Sequence, residues 1–292
     1  MRSIPYNDWA KPPGEAEQKR CANAESNVRT AIQKSAELKQ RRITVFTHGS
    51  YRNRVNVRDN SDVDVGVLCH DTFFYNLPEG TSSQTFNISP ATYQYEQFKN
   101  EVEKALVDYF GRNAVKRGKK AFDIKETSRQ VEADVAAFFE HRRYQSHGGH
   151  WSGVELRTDD GKRIINWPEQ HYQNGVNKNS QTNQSFKGMV RILKRLMFQM
   201  EEKGLVSSEK VPGFLLECMT YNVPNEYFKH PDWSGDVRAV LAFLFNNTIN
   251  DDGCNAWKEV SKMKWLFRIA QKWNRADAHA FLHAAWNYIG FQ

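Results

Sequence analysis

Two aspartates, Asp62 and Asp64, lie two residues apart where the apolar run Val63 to Leu68 begins. Side chains in a β-strand alternate between the two faces, so both carboxylates should point the same way. The run contains no Lys or Arg that would offset their repulsion. Carboxylate oxygens are ligands that Mg²⁺ and Mn²⁺ prefer, so the pair predicts a divalent-cation site. The alternative is a solvated strand face beside a turn.

A glycine and a serine, Gly49 and Ser50, lie a short distance upstream of the aspartates and end the strand-like run Ile43 to Thr47. Glycine lets the backbone approach a phosphate because it has no Cβ, and a serine hydroxyl and backbone amides can donate hydrogen bonds to it. Gly49 and Ser50 are therefore predicted to bind the phosphates of a nucleotide.

A third carboxylate, Asp134, directly precedes the apolar run Val135 to Phe139. A carboxylate in such a strand is costly to bury unless it is paired or bound to a metal. If this strand lies beside the Asp62/Asp64 strand, Asp134 completes a cradle of three carboxylates. Glu132 shares the strand face and is a rival ligand with a longer side chain. Two divalent ions held there would suit in-line nucleotidyl transfer. The alternative is an acid at an exposed strand end.

The composition describes a folded, basic protein. The chain has 292 residues, of which 39% are hydrophobic, and a formal net charge of +7. This length allows two domains, and the charge suits a polyanionic partner such as nucleic acid or nucleoside triphosphates. The four cysteines have no paired spacing, and no apolar run is long enough for a signal peptide or a bilayer span. We therefore expect a cytoplasmic protein without membrane contact.

The clearest helical periodicity covers Ser185 to Met200, where apolar residues recur at intervals of three and four. Four cationic residues, Lys187, Arg191, Lys194 and Arg195, share another face of this helix. Lys187 lies in the first turn, where the helix dipole and the side-chain charge both favour phosphate. Lys187 is therefore predicted to contact a triphosphate, whereas Lys194 and Arg195 are expected to be ordinary solvated side chains.

The two halves of the chain differ in their patterns. Strand patterns dominate before Trp167 and helical patterns follow it, which predicts an α+β protein with two lobes. The predicted domains are 1–166, a core with a long N-terminal helix, and 167–292, a helical lobe. We expect a loop over 70–93 and a hairpin over 153–165. Helices are predicted over 15–40, 94–111, 185–200, 212–221, 236–245, 256–273 and 276–288.

Two blocks of sequence carry a resemblance to known proteins. The run His48-Gly49-Ser50, followed by Asp62-Val63-Asp64 and later by Asp134, resembles the DNA polymerase β-like nucleotidyltransferase superfamily. The second block starts at Asp160-Gly161 and Asn166-Trp167-Pro168, and it continues through Phe186-Lys187 to Val190-Arg191 and Lys194. With it, the chain looks like the bacterial cGAS/DncV-like nucleotidyltransferases (CD-NTases), and within them like clade E.

The resemblance implies a polymerase β-like mixed-sheet core and a helical lobe similar to that of oligoadenylate synthetases. It implies that Asp62, Asp64 and Asp134 bind two Mg²⁺ ions, with Mn²⁺ as the alternative, and that Gly49, Ser50 and Lys187 hold the donor triphosphate. Such enzymes join nucleoside triphosphates, without a template, into cyclic di- or trinucleotides. A separate effector senses the product in anti-phage defence. No zinc ribbon is present in this sequence, so no nucleic-acid activator is expected.

Asn166 is predicted to read a base. Its amide offers a donor and an acceptor, which fits the mixed polar edge of a nucleobase. In similar enzymes an Asn near this position accompanies a pyrimidine preference, so uracil is expected here and the substrates are expected to be ATP and UTP. The alternative is that Asn166 caps the turn before Trp167-Pro168. For the whole chain the alternatives are a linear oligonucleotide synthase, an RNA-terminal nucleotidyltransferase, and a non-catalytic RNA- or protein-binding scaffold.

Overall fold

The computed structural model describes residues 3–57, 63–125, 132–268 and 271–291. The chain packs into two compact units. One, here called the strand unit, comprises Gly14–Arg52 and Arg58–Pro168. The other, the helical unit, comprises Met1–Pro13, Asn53–Val57 and Glu169–Gln292. These units are defined by packing alone and do not test the predicted domain boundary at 166/167, which stays a prediction.

The described part of the strand unit forms a seven-stranded mixed sheet in the order β1-β2-β5-β4-β3, with β6 pairing to β5 and β7 to β6. Strands β2 and β5 are parallel, and the other pairs are antiparallel. This sheet, together with its helices, confirms the predicted α+β class. The strands are β1 (Ile43–Thr47), β2 (Val63–Asn76), β3 (Val115–Arg117), β4 (Phe122–Ile124), β5 (Ala133–Tyr144), β6 (His150–Arg157) and β7 (Arg163–Asn166).

Helices cover one face of this sheet, and alternation along β2 shows which face. Val63, Val65 and Val67 are fully buried, whereas Asp64 between them is only half-buried. The valines belong to one core with the apolar stripes of two helices, α2 (Glu15–Lys34) and α4 (Tyr95–Phe110). Burying each such side chain contributes about 1.5–3 kcal/mol, which fixes the strand register and leaves the aspartate on the other face.

Strand β2 extends further than its sequence indicates. A loop was expected from residue 70, but β2 continues to Asn76 and pairs with β5 along both of its halves. The register shifts between Cys69 and Phe73, which is the signature of a β-bulge or similar irregularity. The expectation was wrong over 70–76 because this irregularity interrupts the alternation of apolar side chains, while pairing with β5 still maintains the strand.

The helical unit is built around α6 (Ser185–Glu201), whose apolar stripe is buried in the unit's core. Side-chain caps begin two other helices, since Asp232 accepts from the N–H of Gly235 and Asn274 from that of Asp277. The remaining helices are α1 (Tyr6–Trp9), α5 (Pro168–Gln181), α7 (Gly213–Asn222), α8 (Trp233–Asn247) and α9 (Arg275–Ile289), while α3 (Gly49–Arg52) lies in the strand unit.

The helix predicted over 256–273 is wrong. Its described residues form turns and an isolated bridge between Lys258 and Trp265. Hydrogen bonds hold this segment in place, including one from Gln271 to the Glu259 carboxylate and one from the Trp273 indole to the Leu266 carbonyl.

No helix among the described residues has the length and apolar character that crossing a membrane requires.

Candidate active site

The structure places Asp64 and Asp134 side by side. They lie opposite each other in the parallel pairing of β2 with β5, so both side chains leave the same face of the sheet. Neighbouring strands are about 4.8 Å apart, which brings the two carboxylates close together. Both aspartates are half-buried, and the flanking Ala133 and Val135 are fully buried on the opposite face. The open face of the sheet therefore presents two adjacent acids at the start of two strands.

The third predicted ligand, Asp62, lies outside the described residues, as does the chain from 58 to 61 that leads to it. Within the described ranges, no group of three His, Cys, Asp or Glu side chains is arranged to hold a metal ion. The set of three carboxylates stays a prediction, and the structure places two of its members, Asp64 and Asp134, next to each other.

Gly49 is in direct contact with the carboxylate of Asp64. Its φ is +64°, and a Cβ built on its backbone would fall 2.0 Å from Asp64 Oδ2. The backbone N–H of His48 donates to the carbonyl of Asp64 at 2.9 Å. A side chain at position 49 is therefore excluded both by conformation and by space, and the loop is fixed against the acid.

Ser50 follows Gly49 in the single helical turn α3 and is half-buried. Over the parts of the chain that the structure describes, its hydroxyl makes no hydrogen bond. Ser50, Gly49 and Asp64 thus form one small cluster, in which the hydroxyl is available to a ligand.

His48 is a packing residue of the same loop that sequence reasoning did not assign. Its ring lies 5.7 Å from the rings of Phe46 and Phe138, measured between centroids. Burial, assisted by the charge of Arg52, lowers the pKa of His48 to about 4. The Nε2 atom is buried and has no hydrogen-bond partner among the described residues. A neutral, aromatic-packed imidazole therefore supports Gly49 from within the fold.

Asn166 ends strand β7 opposite Val154. The backbone there is closely packed, because a Cβ on Gly153 would fall 2.7 Å from the Asn166 carbonyl oxygen and 2.6 Å from the ring of Trp167. Trp167 is itself buried, with the Arg143 guanidinium 4.7 Å from its ring. Asn166 is half-buried, and its side-chain amide has no hydrogen-bond partner in the described structure, which argues against the turn-cap alternative.

Lys187 lies in the helical unit, in the first turn of α6, and is buried. Its backbone N–H donates to Asn179 Oδ1 at 3.0 Å, and its ammonium lies 5.8 Å from the Tyr172 ring. Burial lowers the pKa of Lys187. The Glu217 charge opposes this shift, and the Arg54 and Arg191 charges add to it. No oxygen of the described residues accepts a hydrogen bond from this ammonium, so it is suited to an anionic ligand.

A buried acid near Lys187, Glu217, is a residue that sequence reasoning missed. Its Oε1 lies 2.9 Å from His171 Nε2. Burial by itself would raise the pKa of Glu217, but His171, Lys194 and Lys187 outweigh it, so the pKa is lowered and the carboxylate stays charged. The only signal in the sequence was an acid within the apolar run of α7, because its partners come from other helices.

The expectation that Lys194 and Arg195 are solvated is wrong. Lys194 is buried and donates to the Val55 carbonyl at 3.1 Å. Arg195 donates to the carbonyls of Asp8 and Trp9 at 2.8 and 2.7 Å. These acceptors lie well over a hundred residues away in the chain, so periodicity within the helix could not reveal them. The two residues anchor other segments of the helical unit to α6.

Known proteins match both the helical part and the whole chain. The family model of the cGAS/DncV-like nucleotidyltransferase C-terminal helical domain matches residues 173–290. The cyclic dipyrimidine nucleotide synthase CdnE of Cecembia lonarensis is 38% identical over 284 residues, covering 97% of this chain and 96% of that protein. The enzyme of the same name from Legionella pneumophila is 39% identical over 289 residues, again covering 97% and 96%.

The fold agrees with this relationship. A solved structure of the CdnE cyclic dinucleotide synthase from Elizabethkingia meningoseptica, with GTP and Apcpp, superposes with a TM-score of 0.83. It is 31% identical and covers 100% of both chains. Relatives at this identity, matched along nearly their full length, confirm the resemblance found in the sequence. The chain therefore belongs to the bacterial cGAS/DncV-like nucleotidyltransferases, among the CdnE enzymes of clade E.

Proposed function

We propose that this chain joins nucleoside triphosphates, without a template, into a cyclic dinucleotide that contains uracil. The observation that carries the proposal is the in-register pair of Asp64 and Asp134, with Gly49 packed against Asp64. The named activity of the Cecembia and Legionella relatives, cyclic dipyrimidine synthesis, supports a pyrimidine in the product. We place the product upstream of a separate effector in anti-phage defence.

Divalent cations fit the residues present. Asp64 and Asp134 offer hard oxygen donors from adjacent strands, and their mutual repulsion is relieved when a cation binds. We assign them, with Asp62, to two Mg²⁺ ions, with Mn²⁺ as the alternative. When bound, such ions neutralise charge on the triphosphate and lower the pKa of an attacking hydroxyl.

The protein's own contribution is to position the nucleotides. The Ser50 hydroxyl donates to the donor triphosphate, and Gly49 allows its phosphates to approach the backbone. Lys187 supplies a positive charge to the phosphates from a buried position, where a charge acts more strongly than in water. Positioning and charge stabilisation suffice for this reaction, so no side-chain nucleophile is required.

The proposal is tested by the product of the purified chain. We expect all four nucleoside triphosphates with Mg²⁺ to give a uracil-containing cyclic dinucleotide, identified by mass spectrometry and resistant to phosphatase. The Asp134→Asn variant should retain the fold and form no product. A phosphatase-sensitive linear product would instead favour the oligonucleotide synthase or RNA-terminal alternatives. Absence of any product from the wild type would favour the scaffold.

The role of Asn166 has a separate test. With equal ATP and UTP, each radiolabelled in turn, Asn166→Ser should lower the uracil content of the product by about tenfold, because a lost base contact costs 1–3 kcal/mol. Asn76→Ser, at the end of β2, is the matched control and should leave the product mixture unchanged. An unchanged mixture from Asn166→Ser would remove Asn166 from base selection while leaving nucleotidyl transfer intact.

A further inference from the structure

The strand unit contains a cavity that lies far from Asp64 and Asp134. Its volume is about 1300 Å³, which exceeds the 300–1000 Å³ of a common small-molecule site. It is lined by the far ends of β2 and β5, by the start of α4 and by the loop over 83–94. Arg142, which lines it, lies eight residues beyond Asp134 on β5, a distance of about 26 Å along the strand. The cavity is therefore separate from the candidate active site.

Positive charge predominates in this cavity. Five cationic side chains line it, namely Arg41, Lys99, Arg117, Arg142 and Arg157, against three acidic ones, namely Asp71, Glu96 and Asp159. The excess of two charges favours an anionic ligand.

Three of the five cations are already bound to acids. Lys99 and Arg117 both reach Asp159, at 2.7 and 2.9 Å, and Arg142 reaches Glu140 at 2.8 Å. Because these charges are matched within the protein, they contribute structure more than ligand affinity. The free binding capacity must come from the other two arginines.

Arg41 and Arg157 each lie near an acid, but in both cases another arginine is closer to that acid and forms the hydrogen bonds with it. Arg41 lies 3.8 Å from Asp71, which accepts a hydrogen bond from Arg42 at 3.0 Å. Arg157 likewise lies 3.8 Å from Glu155, and this carboxylate accepts two hydrogen bonds from Arg163, at 2.8 and 3.0 Å.

Aromatic rings hold these two guanidinium groups in place. Arg41 lies 3.6 Å from the centroid of the Tyr93 ring, and Arg157 lies 4.2 Å from that of Phe74. Stacking fixes the plane of a guanidinium and leaves its N–H groups free for bidentate contact with a phosphate or carboxylate. The cavity thus holds two pre-oriented anion-binding groups.

The cavity also offers aromatic surface that is not fully covered. Phe86 and Tyr144, whose ring centroids are 4.6 Å apart, are half-buried, and Tyr75 is 37% exposed. Exposed ring faces stack on flat heteroaromatic groups, each contributing about 1–3 kcal/mol. A flat ring and an anion are the two components of a nucleotide.

We propose that this cavity is a non-catalytic binding site for a nucleotide-class ligand, whose phosphate binds Arg41 and Arg157 and whose base stacks on the aromatic wall. The volume accommodates a mononucleotide and leaves room for a dinucleotide. This site does not depend on the proposed function, since it uses none of the residues assigned to nucleotidyl transfer.

Calorimetric titration of the full chain with UMP, in EDTA to remove divalent ions, tests the site. Arg41→Gln and Arg157→Gln should each weaken UMP binding by at least about tenfold, the equivalent of one lost charged contact. Lys19→Gln, on the exposed surface of α2, should leave the affinity unchanged. Lys187→Gln reports separately on any UMP that binds at the candidate active site. Arg157→Lys keeps the positive charge but loses the bidentate guanidinium, so its UMP affinity should lie between those of the wild type and Arg157→Gln.

Two results would overturn the proposal. UMP affinity that survives both arginine substitutions but falls in Lys187→Gln would assign the nucleotide to the candidate active site alone. Inorganic phosphate binding as tightly as UMP would show that no base is recognised. Thermal unfolding of each variant shows whether it is folded, and its product formation with Mg²⁺ reports separately on the proposed function.

Discussion

Gly49 meets two requirements that no other residue type meets at once. Its φ of +64° lies in the left-handed region, and the Asp64 carboxylate occupies the space that a Cβ would need. Asn or Asp can adopt a left-handed φ in other proteins, but the space that the Asp64 carboxylate occupies excludes any side chain at position 49. The sequence showed the glycine and the aspartate, and the physical link between them is visible only in the folded chain.

Gly49→Ala should reduce product formation by at least about a hundredfold, because the new methyl group displaces the carboxylate of Asp64 and small displacements at a reacting centre cost about that much. Gly80→Ala is the matched control, since Gly80 also has a positive φ, +76°, but no atom lies within 4 Å of its added Cβ. Both variants carry about 1–2 kcal/mol of backbone strain. Initial rates per mole of folded protein measure the difference, and equal rates would show that Asp64 tolerates the displacement.

For helix α6 the sequence predicted the position correctly but the surroundings of its cationic residues wrongly. Its apolar period located Ser185–Glu201 almost to the residue, because a helix that buries a stripe must repeat it every three or four positions. The same period gave the wrong environment for Lys194 and Arg195. Periodicity identifies the face that is not apolar, but it does not show which polar segments cover that face.

The strands divide in the same way. Sequence patterns located β1, β5 and the β6–β7 hairpin, because each keeps regular alternation or a turn signal. The far half of β2 was missed because a register shift interrupts its alternation. The segment 256–273 was assigned to a helix from apolar spacing, although turns there satisfy the same burial. Regular elements were predictable, and irregular ones depend on partners that are distant in sequence.

Arg191 on α6 ties two remote segments together. Its Nε donates to the Ala10 carbonyl at 2.7 Å and its Nη1 to the Arg54 carbonyl at 2.5 Å. A lysine has one ammonium and cannot reproduce this fork. Arg191→Lys should therefore lower the free energy of unfolding by about 2 kcal/mol, the cost of a charged hydrogen bond and an unsatisfied buried acceptor.

The control is Arg195→Lys on the same helix, which also donates to two backbone carbonyls but is only partly buried. Water can replace its lost contact, so the expected loss is below about 1 kcal/mol. Urea unfolding at neutral pH compares the two. A larger loss for Arg195→Lys would mean that burial does not set the strength of these anchors.

At the scale of the whole molecule, the two units are interleaved in sequence. The change in composition near Trp167 marks the last transition between them, but Met1–Pro13 and Asn53–Val57 also belong to the helical unit. Such short segments carry no compositional signal of their own. Ala10 and Val55, one from each segment, are buried in that unit. Packing alone assigns these two segments to the helical unit, and neither periodicity nor composition could have predicted it.

The stability of the molecule should depend on pH through Lys178 in α5. This residue is 9% exposed, donates to the Val223 carbonyl, and has its ammonium 5.4 Å from the Phe228 ring. Burial lowers the pKa of Lys178 from 10.5 to about 8, with the Lys262 charge adding to the effect and Glu226 opposing it. Between pH 8 and 10.5 the unfolded chain binds more protons than the folded one, so this residue makes unfolding harder as pH rises.

Relative to Lys178→Met, the wild type should therefore gain up to about 3 kcal/mol in free energy of unfolding between pH 8 and 10.5, at 1.36 kcal/mol per pKa unit. Below pH 8 the difference between the two proteins should be constant, because Lys178 is protonated in both states. Urea unfolding across this range measures it, and other groups that titrate cancel in the comparison. Lys229→Met, at an exposed position, should run parallel to the wild type. Parallel curves for Lys178→Met as well would mean that water reaches the ammonium and that its burial has no energetic effect.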